Sequence, residues 1–382
     1  MTRRPRRIRQ TRNSTDYVLL TVVLFLVGFG LLMIYSVSSY EAGLKLNDSA
    51  YYLKKQAGST IIGIFGLVLA CIVPYRLIQK VDFLAYIVSV VLIMLLLTPL
   101  GVTRNFATRW LNFGIITFQP AEVAKIGVII YVASVIQKLE SIGKGIVQSR
   151  KGFFIIFVPP TVLAGLIYIV SKNLSSAIIV LGIAVAMYFI AVPTYKPFVI
   201  VVSLGLGAVV GIVLYALNAD ETSSFRLARV QAWLNPELYS TDRAFQTLQA
   251  LYAIGSGGIW GKGLGQSMQK RGFLPEAQND MIFSIICEEL GLFGALTIML
   301  LFVVLIWSCM VIANKTKDRF GALVVAGVMS HYAIQVILNI AVVTNTMPNT
   351  GITLPFISYG GTSTLFLLAE IGLVLNISKN CK

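Results

Sequence analysis

Apolar residues run through this chain in blocks of 17 to 24, with hardly a charge inside them, and the polar positions gather between the blocks. The blocks fall at 17–36, 57–74, 82–100, 121–137, 153–170, 175–193, 197–217, 291–313, 320–343 and 359–377. A helix rising about 1.5 Å per residue needs roughly 20 residues to cross about 30 Å of hydrocarbon. The pattern therefore predicts an all-α polytopic membrane protein with about ten transmembrane helices. The first block is longer than a signal-peptide core and lacks a small-residue cleavage site, so it is expected to stay as a signal anchor.

An even number of crossings puts both termini on one side, and charge says which. Arg3, Arg4, Arg6, Arg7, Arg9 and Arg12 precede the first block, and the short loop Lys315-Thr316-Lys317-Asp318-Arg319 is also basic. On the positive-inside rule these are cytoplasmic, and 18 of the 31 Lys and Arg residues then lie on that side. The expected organisation is a cytoplasmic basic arm at 1–16, a single transmembrane domain at 17–377, and a cytoplasmic tail at 378–382. Two segments on the other side are more than connectors. One is 101–120; the other is a large extracellular loop at 218–290, between helices seven and eight, whose aromatic residues suggest a folded or membrane-lying cap. Structureless loops of that length are uncommon in compact proteins.

Composition agrees: 57% of the 382 residues are hydrophobic and 12% charged, with mean hydropathy +0.81. Soluble domains carry about 25% charged residues. The net charge of +15 suggests topology and anionic lipid. No compact soluble domain exists to present a basic face to nucleic acid. The four cysteines show neither metal-ligand spacing nor a disulfide framework, and the single histidine, His331, lies in an apolar block, where it is expected as a satisfied core residue. Any chemistry falls to carboxylates, Lys and Arg.

Asp280 is the acid that stands out, placed where the long polar segment turns into an apolar run. A carboxylate at the edge of hydrocarbon is a functional candidate, with a helix N-cap or a solvated loop acid as the plain alternative. Lys262, Lys270, Arg226, Arg229, Arg243 and Arg271 crowd the same segment against the topological bias. Either they hold an anion such as pyrophosphate or they pair with loop acids. The glycine-rich stretch 255–265 fails as a phosphate loop, because Ser256 and Gly263 stand where that motif needs Gly and Ser/Thr. Its backbone amides could line a cavity, or it could form plain tight turns. Glu122 and Lys125 are three apart inside a predicted span, so they pair with each other or face a polar cavity. Glu288 and Glu289 could flank the same cavity or cap it. The loop 344–363, with two prolines and several glycines, predicts broken helix lining a buried or wet site.

These residues form an ordered set: Arg109-Trp110; Gln119-Pro120-x-Glu122-x-x-Lys125; Gly257-Gly258-x-x-Gly261-Lys262-Gly263-Leu264-Gly265; Leu274-Pro275-Glu276-Ala277-x-x-Asp280-x-Ile282-Phe283; Glu288-Glu289-Leu290-Gly291; and Gly351-Ile352-x-Leu354-Pro355-Phe356-Ile357-Ser358-Tyr359-Gly360-Gly361. In this the chain resembles the SEDS family (FtsW, RodA, SpoVE), over essentially its whole length after the arginine-rich arm. Lys172-Asn173-Leu174-Ser175 and the Asp16-Tyr17 pair lean toward the FtsW/SpoVE branch, and Gln278-Asn279 replace a frequent His-Thr.

The resemblance implies a peptidoglycan glycosyltransferase that polymerises lipid II, an undecaprenyl-pyrophosphate-linked disaccharide peptide, at the outer face of the bacterial cytoplasmic membrane. It also implies a class B penicillin-binding protein as partner, within a divisome or elongasome. Asp280 falls on the family's essential aspartate and is expected to be the general base. Arg109, Trp110, Lys262, Lys270, Glu276, Ser358 and Tyr359 are expected around substrate. A divalent cation, Mg or Mn, could share the phosphate charge; no organic cofactor is expected. Two alternatives stay open: a lipid II flippase, and a non-catalytic division scaffold.

Overall fold

The computed structural model describes residues 16–104, 107–114, 117–192, 225–239, 244–379 and 381, with scattered helical positions between 199 and 215. The basic arm up to 15, most of the block at 197–217, Lys196, Arg243 and the last residue lie outside this set. Among the described residues seven helices are long and apolar enough to cross a membrane, and two shorter apolar helices join them.

Helix α1 (Tyr17–Leu46) begins where Asp16 accepts a hydrogen bond from the Leu19 amide at 3.0 Å, filling one of the open donors of the first turn. It is followed by α2 (Tyr51–Ile72), the short α3 (Tyr75–Lys80) and α4 (Asp82–Met94), which closes with a 3-10 turn. The segment 101–118 then departs from helix. Strands β1 (Gly101–Arg104), β2 (Ala107–Asn112) and β3 (Thr117–Phe118) form an antiparallel sheet in that order, with Val102 opposite Trp110. Beyond it lie α5 (Pro120–Ile142), α6 (Lys144–Gln148), α7 (Arg150–Ser171) and α8 (Leu174–Ala191). Pro120 sits at the first turn of α5, where its missing amide hydrogen is no loss.

Helices α9 (Phe225–Leu234) and α10 (Phe245–Gly257) belong to the long polar segment, so it is a folded cap. The Trp233 indole nitrogen donates to the Asn345 carbonyl at 2.9 Å, and Asn349 donates to Gln246 at 2.9 Å. The cap is thus fastened to the loop after α12. The bundle is completed by α11 (Ile282–Lys315), α12 (Arg319–Val343) and α13 (Thr362–Ser378).

Helix α11 corrects the expected loop boundary. Hydropathy places its start at 291, yet helix begins at Ile282 and breaks at Gly291, whose φ of 68° only glycine adopts without strain. The error comes from Glu288 and Glu289, which are fully buried but read as polar in a sequence window. Carbonyls freed at the break are taken by the glycine-rich stretch. Lys262 and Gly263 amides donate to the Glu288 and Glu289 carbonyls, both at 2.9 Å, and the Leu292 amide donates to the Gly258 carbonyl at 2.9 Å. A Cβ at Gly261 would stand 2.3 Å from the Glu289 carbonyl oxygen. The Lys262 and Gly263 amides are thus committed to mending a broken helix.

A candidate active site at the capped end of the bundle

The turn 268–281 carries Asp280 down onto α12 and the loop 351–361. The Tyr359 amide donates to the Gln278 carbonyl at 2.9 Å, and Asn339 Nδ2 donates to the carbonyls of Asp280 (2.8 Å) and Ile352 (2.7 Å). The Asp280 side chain is buried, with Gly351 directly beside it: a Cβ there would lie 3.8 Å from Asp280 Oδ2. Gly351 has φ of +69°, so a bare backbone position lines the carboxylate.

Among the described residues no cation is paired with Asp280. Burial pushes its carboxyl up to about 6; the Glu276 carboxylate adds to the rise and Arg229 opposes it. Such a group is ionised at neutral pH yet a stronger base than an ordinary aspartate. Glu276 is exposed, holds a left-handed φ of 49° and accepts from Asn279 Nδ2 at 3.0 Å. Strain of this kind at a non-glycine position gathers at functional sites.

Arg109, on β2, is half-buried. Its Nη2 reaches the Lys172 carbonyl at 3.4 Å, while its Nε is buried without a partner. Burial lowers the guanidinium from its ordinary value, and neighbouring Arg229 lowers it further. Arg229, on α9, is therefore within electrostatic reach of both Arg109 and Asp280. The orphaned Nε of Arg109, beside a second guanidinium, makes a place suited to an anion.

The other expected residues separate into groups. Tyr359 lies beside the Asp280 turn, its ring edge-on to Tyr52 at 5.1 Å. Ser358 is buried and accepts from the Leu354 amide at 2.8 Å, closing the turn of its own loop. Trp110 is half-buried on β2, opposite Val102. Lys262 pairs with Glu288 at 2.7 Å, and Glu288 also accepts from Ser267 and the Met268 amide. Lys270 pairs with Glu289 at 2.7 Å, with Ser36 of α1 bonded to both. These two ammonium groups pin the turn to α11 and α1. Glu122 and Lys125 pair at 2.8 Å, both buried, and Glu122 also accepts from Ser363 at 3.0 Å. Sequence spacing passed over the stripe His331, Gln335, Asn339, although its interval of four was visible.

A polytopic helical membrane protein with a buried acid under a folded cap is the class that this architecture defines. The sequence profile of the FtsW/RodA/SpoVE cell cycle protein family matches residues 17–382, and the chain belongs to that family. It is 37% identical over 373 residues to stage V sporulation protein E of Bacillus subtilis, covering 96% of this chain and 98% of that protein. It is 35% identical over 376 residues to the probable peptidoglycan glycosyltransferase FtsW of the same organism, covering 97% and 92%. Among solved structures, a chain from a peptidoglycan synthase complex matches with TM-score 0.76 at 22% identity, covering 96% of this chain and 98% of that one. The rod shape determining protein RodA of Thermus thermophilus matches with TM-score 0.67 at 23% identity, over the same shares. The folds agree.

Proposed function

We propose that this protein is a peptidoglycan glycosyltransferase that polymerises lipid II, with Asp280 as general base. The observation that carries the assignment is a buried carboxylate, raised to about 6, without a cation partner among the described residues and within electrostatic reach of Arg229, which in turn neighbours Arg109. The carboxylate takes the proton from an acceptor sugar hydroxyl. That oxygen forms a bond to the donor's anomeric carbon as the bond from carbon to pyrophosphate oxygen breaks. The electron pair leaves on undecaprenyl pyrophosphate, whose charge Arg109 and Arg229 offset. A single base of this kind implies direct displacement with inversion.

Relatives carrying the glycosyltransferase name support the reaction, and the charge distribution supports the orientation. The capped end then faces outward and both termini face the cytoplasm. A class B penicillin-binding protein is the partner we infer, in keeping with the peptidoglycan synthase complex that shares the fold. Among the described residues no three His, Cys, Asp or Glu side chains gather to hold a metal ion.

The test supplies lipid II from outside to proteoliposomes containing the purified full-length protein. Glycan polymer from the parent and none from Asp280→Asn is the expected result. Translocation of lipid II without polymer would make the protein a flippase instead.

A further inference from the structure

His331, Gln335 and Asn339 succeed one another at intervals of four along α12 and so share one helical face. All three are buried, at 1%, 2% and 0% exposure. Inside a membrane-crossing helix, polar side chains need partners within the protein.

The bond directions follow from groups that have only one role. Lys125 can only donate, so the Gln335 atom it approaches at 3.4 Å is oxygen. The Thr353 carbonyl can only accept, so the Gln335 atom at 3.0 Å is nitrogen. His331 Nε2, 2.9 Å from Gln335 Oε1, must therefore carry a hydrogen. His331 Nδ1 meets the Glu370 carboxylate at 2.9 Å, and that bond needs one further proton, resident on either partner. From His331 the donation runs one way, through Gln335 to the Thr353 carbonyl, so the chain that begins at Glu370 ends on the backbone of the loop 351–361.

One turn further along, Asn339 donates to two carbonyls at once, those of Asp280 and Ile352. Its own Oδ1 is buried without a partner. Its amide is thus placed to suit the two carbonyls at the expense of its own acceptor. Those carbonyls belong to different segments: one carries the acid, the other follows Gly351, which lies beside it.

We propose that Asn339 is a positioning residue for glycosyl transfer: by bridging Asp280 and Ile352 it sets where the carboxylate stands over Gly351, while the Glu370–His331–Gln335 chain keeps the second segment in register. The inference rests on Asp280 being the base. A misplacement of about 1 Å at a reacting group can cost on the order of a hundredfold in rate.

The experiment compares Asn339→Gln, Asn339→Ala and Asp280→Asn in the full-length protein in proteoliposomes supplied with lipid II. Asn339→Gln keeps the donor amide but moves it by one methylene, so it separates placement from mere bonding. The expected signature is a parental melting curve and a kcat lower by about tenfold or more, with KM within about twofold. The acid limb of the kcat profile should also move down from about 6 toward the ordinary carboxylate range, as the loosened acid meets water. Folded Asn339 variants with parental kcat and acid limb would overturn the proposal, as would a loss that only tracks the folded fraction. Should both Asn339 variants fail to fold, His331→Gln, two turns away, carries the test against the same two readouts. If Asp280→Asn retains parental kcat, the base assignment itself is lost. If Asp280→Asn is inactive while the Asn339 variants match the parent, only the positioning role fails.

Discussion

Lys270 Nζ lies 2.7 Å from Glu289 Oε1, with the lysine side chain 7% and the glutamate 0% exposed, and Ser36 of the first helix hydrogen-bonds to both. The ion pair joins three elements distant in sequence. Removing one member leaves a charge stranded in a medium that solvates it poorly, which costs about 3–5 kcal/mol. Lys270→Met is therefore expected to lower the melting temperature sharply, and the double change with Glu289→Leu to recover most of it. Thermal melting of the purified protein in detergent checks this. If Lys270 instead serves the diphosphate, its variant will melt normally and show a raised KM for lipid II.

Asp280 should trade stability for function. Its folded-state value of about 6 lies above that of an ordinary aspartate, 3.8, so the folded form holds the proton more tightly. That favours folding below about 4, and the advantage disappears as pH rises through about 6. At pH 7.5 the ionised acid thus opposes folding, by an upper bound of about 3 kcal/mol. Asp280→Asn should abolish polymerisation yet melt at a higher temperature than the parent at pH 7.5, with the difference shrinking at pH 4. A variant that melts lower at pH 7.5 would contradict the buried, unpaired carboxylate.

Polymerisation by the parent should lose its base as pH falls through about 6, giving a single acid limb in kcat. An acid limb near 4 would mean that the carboxylate is solvated when substrate is bound.

Arg109 offers an orphaned Nε beside Arg229. Arg109→Ala should raise KM for lipid II by about tenfold to a hundredfold, the range for a charge-assisted hydrogen bond of about 1.5–3 kcal/mol. Arg109→Lys should recover only part, since an ammonium lacks the planar fork that holds two phosphate oxygens. Binding to immobilised lipid II measures both, and equal affinity for all three proteins would remove Arg109 from the site.

Gly261→Ala forces a Cβ to within 2.3 Å of the Glu289 carbonyl oxygen, at a φ of +79°. Neither backbone can yield without opening the repair of the α11 break. The expected loss is about 3 kcal/mol or more, seen as poor recovery of folded protein and a lowered melting temperature.

The membrane spans were legible because hydrocarbon imposes its length on each apolar block directly. α5, α7, α8, α12 and α13 (α12 and α13 nearly end to end) lie within five residues of their predicted blocks. α2 and α4 miss by six at one end, α1 starts on its block but runs ten residues past it, and the short α3 had no block. Asp280, Glu122 and Lys125 were also visible, since a charge near or inside an apolar run is conspicuous on its own. The Glu122–Lys125 pair was legible from its spacing, but partners distant in sequence were not, because a sequence window weighs Glu289 by its own polarity and cannot see Lys270 or Ser36 closing over it. So the start of α11 was misplaced, the glycine-rich stretch lacked its role, and the pairing of the lysines at 262 and 270 with Glu288 and Glu289 was not visible. Only the folded chain brings Gly351 beside Asp280 and lets Asn339 bind both segments. Those are contacts between residues 59 and 13 positions apart, fixed by how helices and broken loops pack once water is excluded.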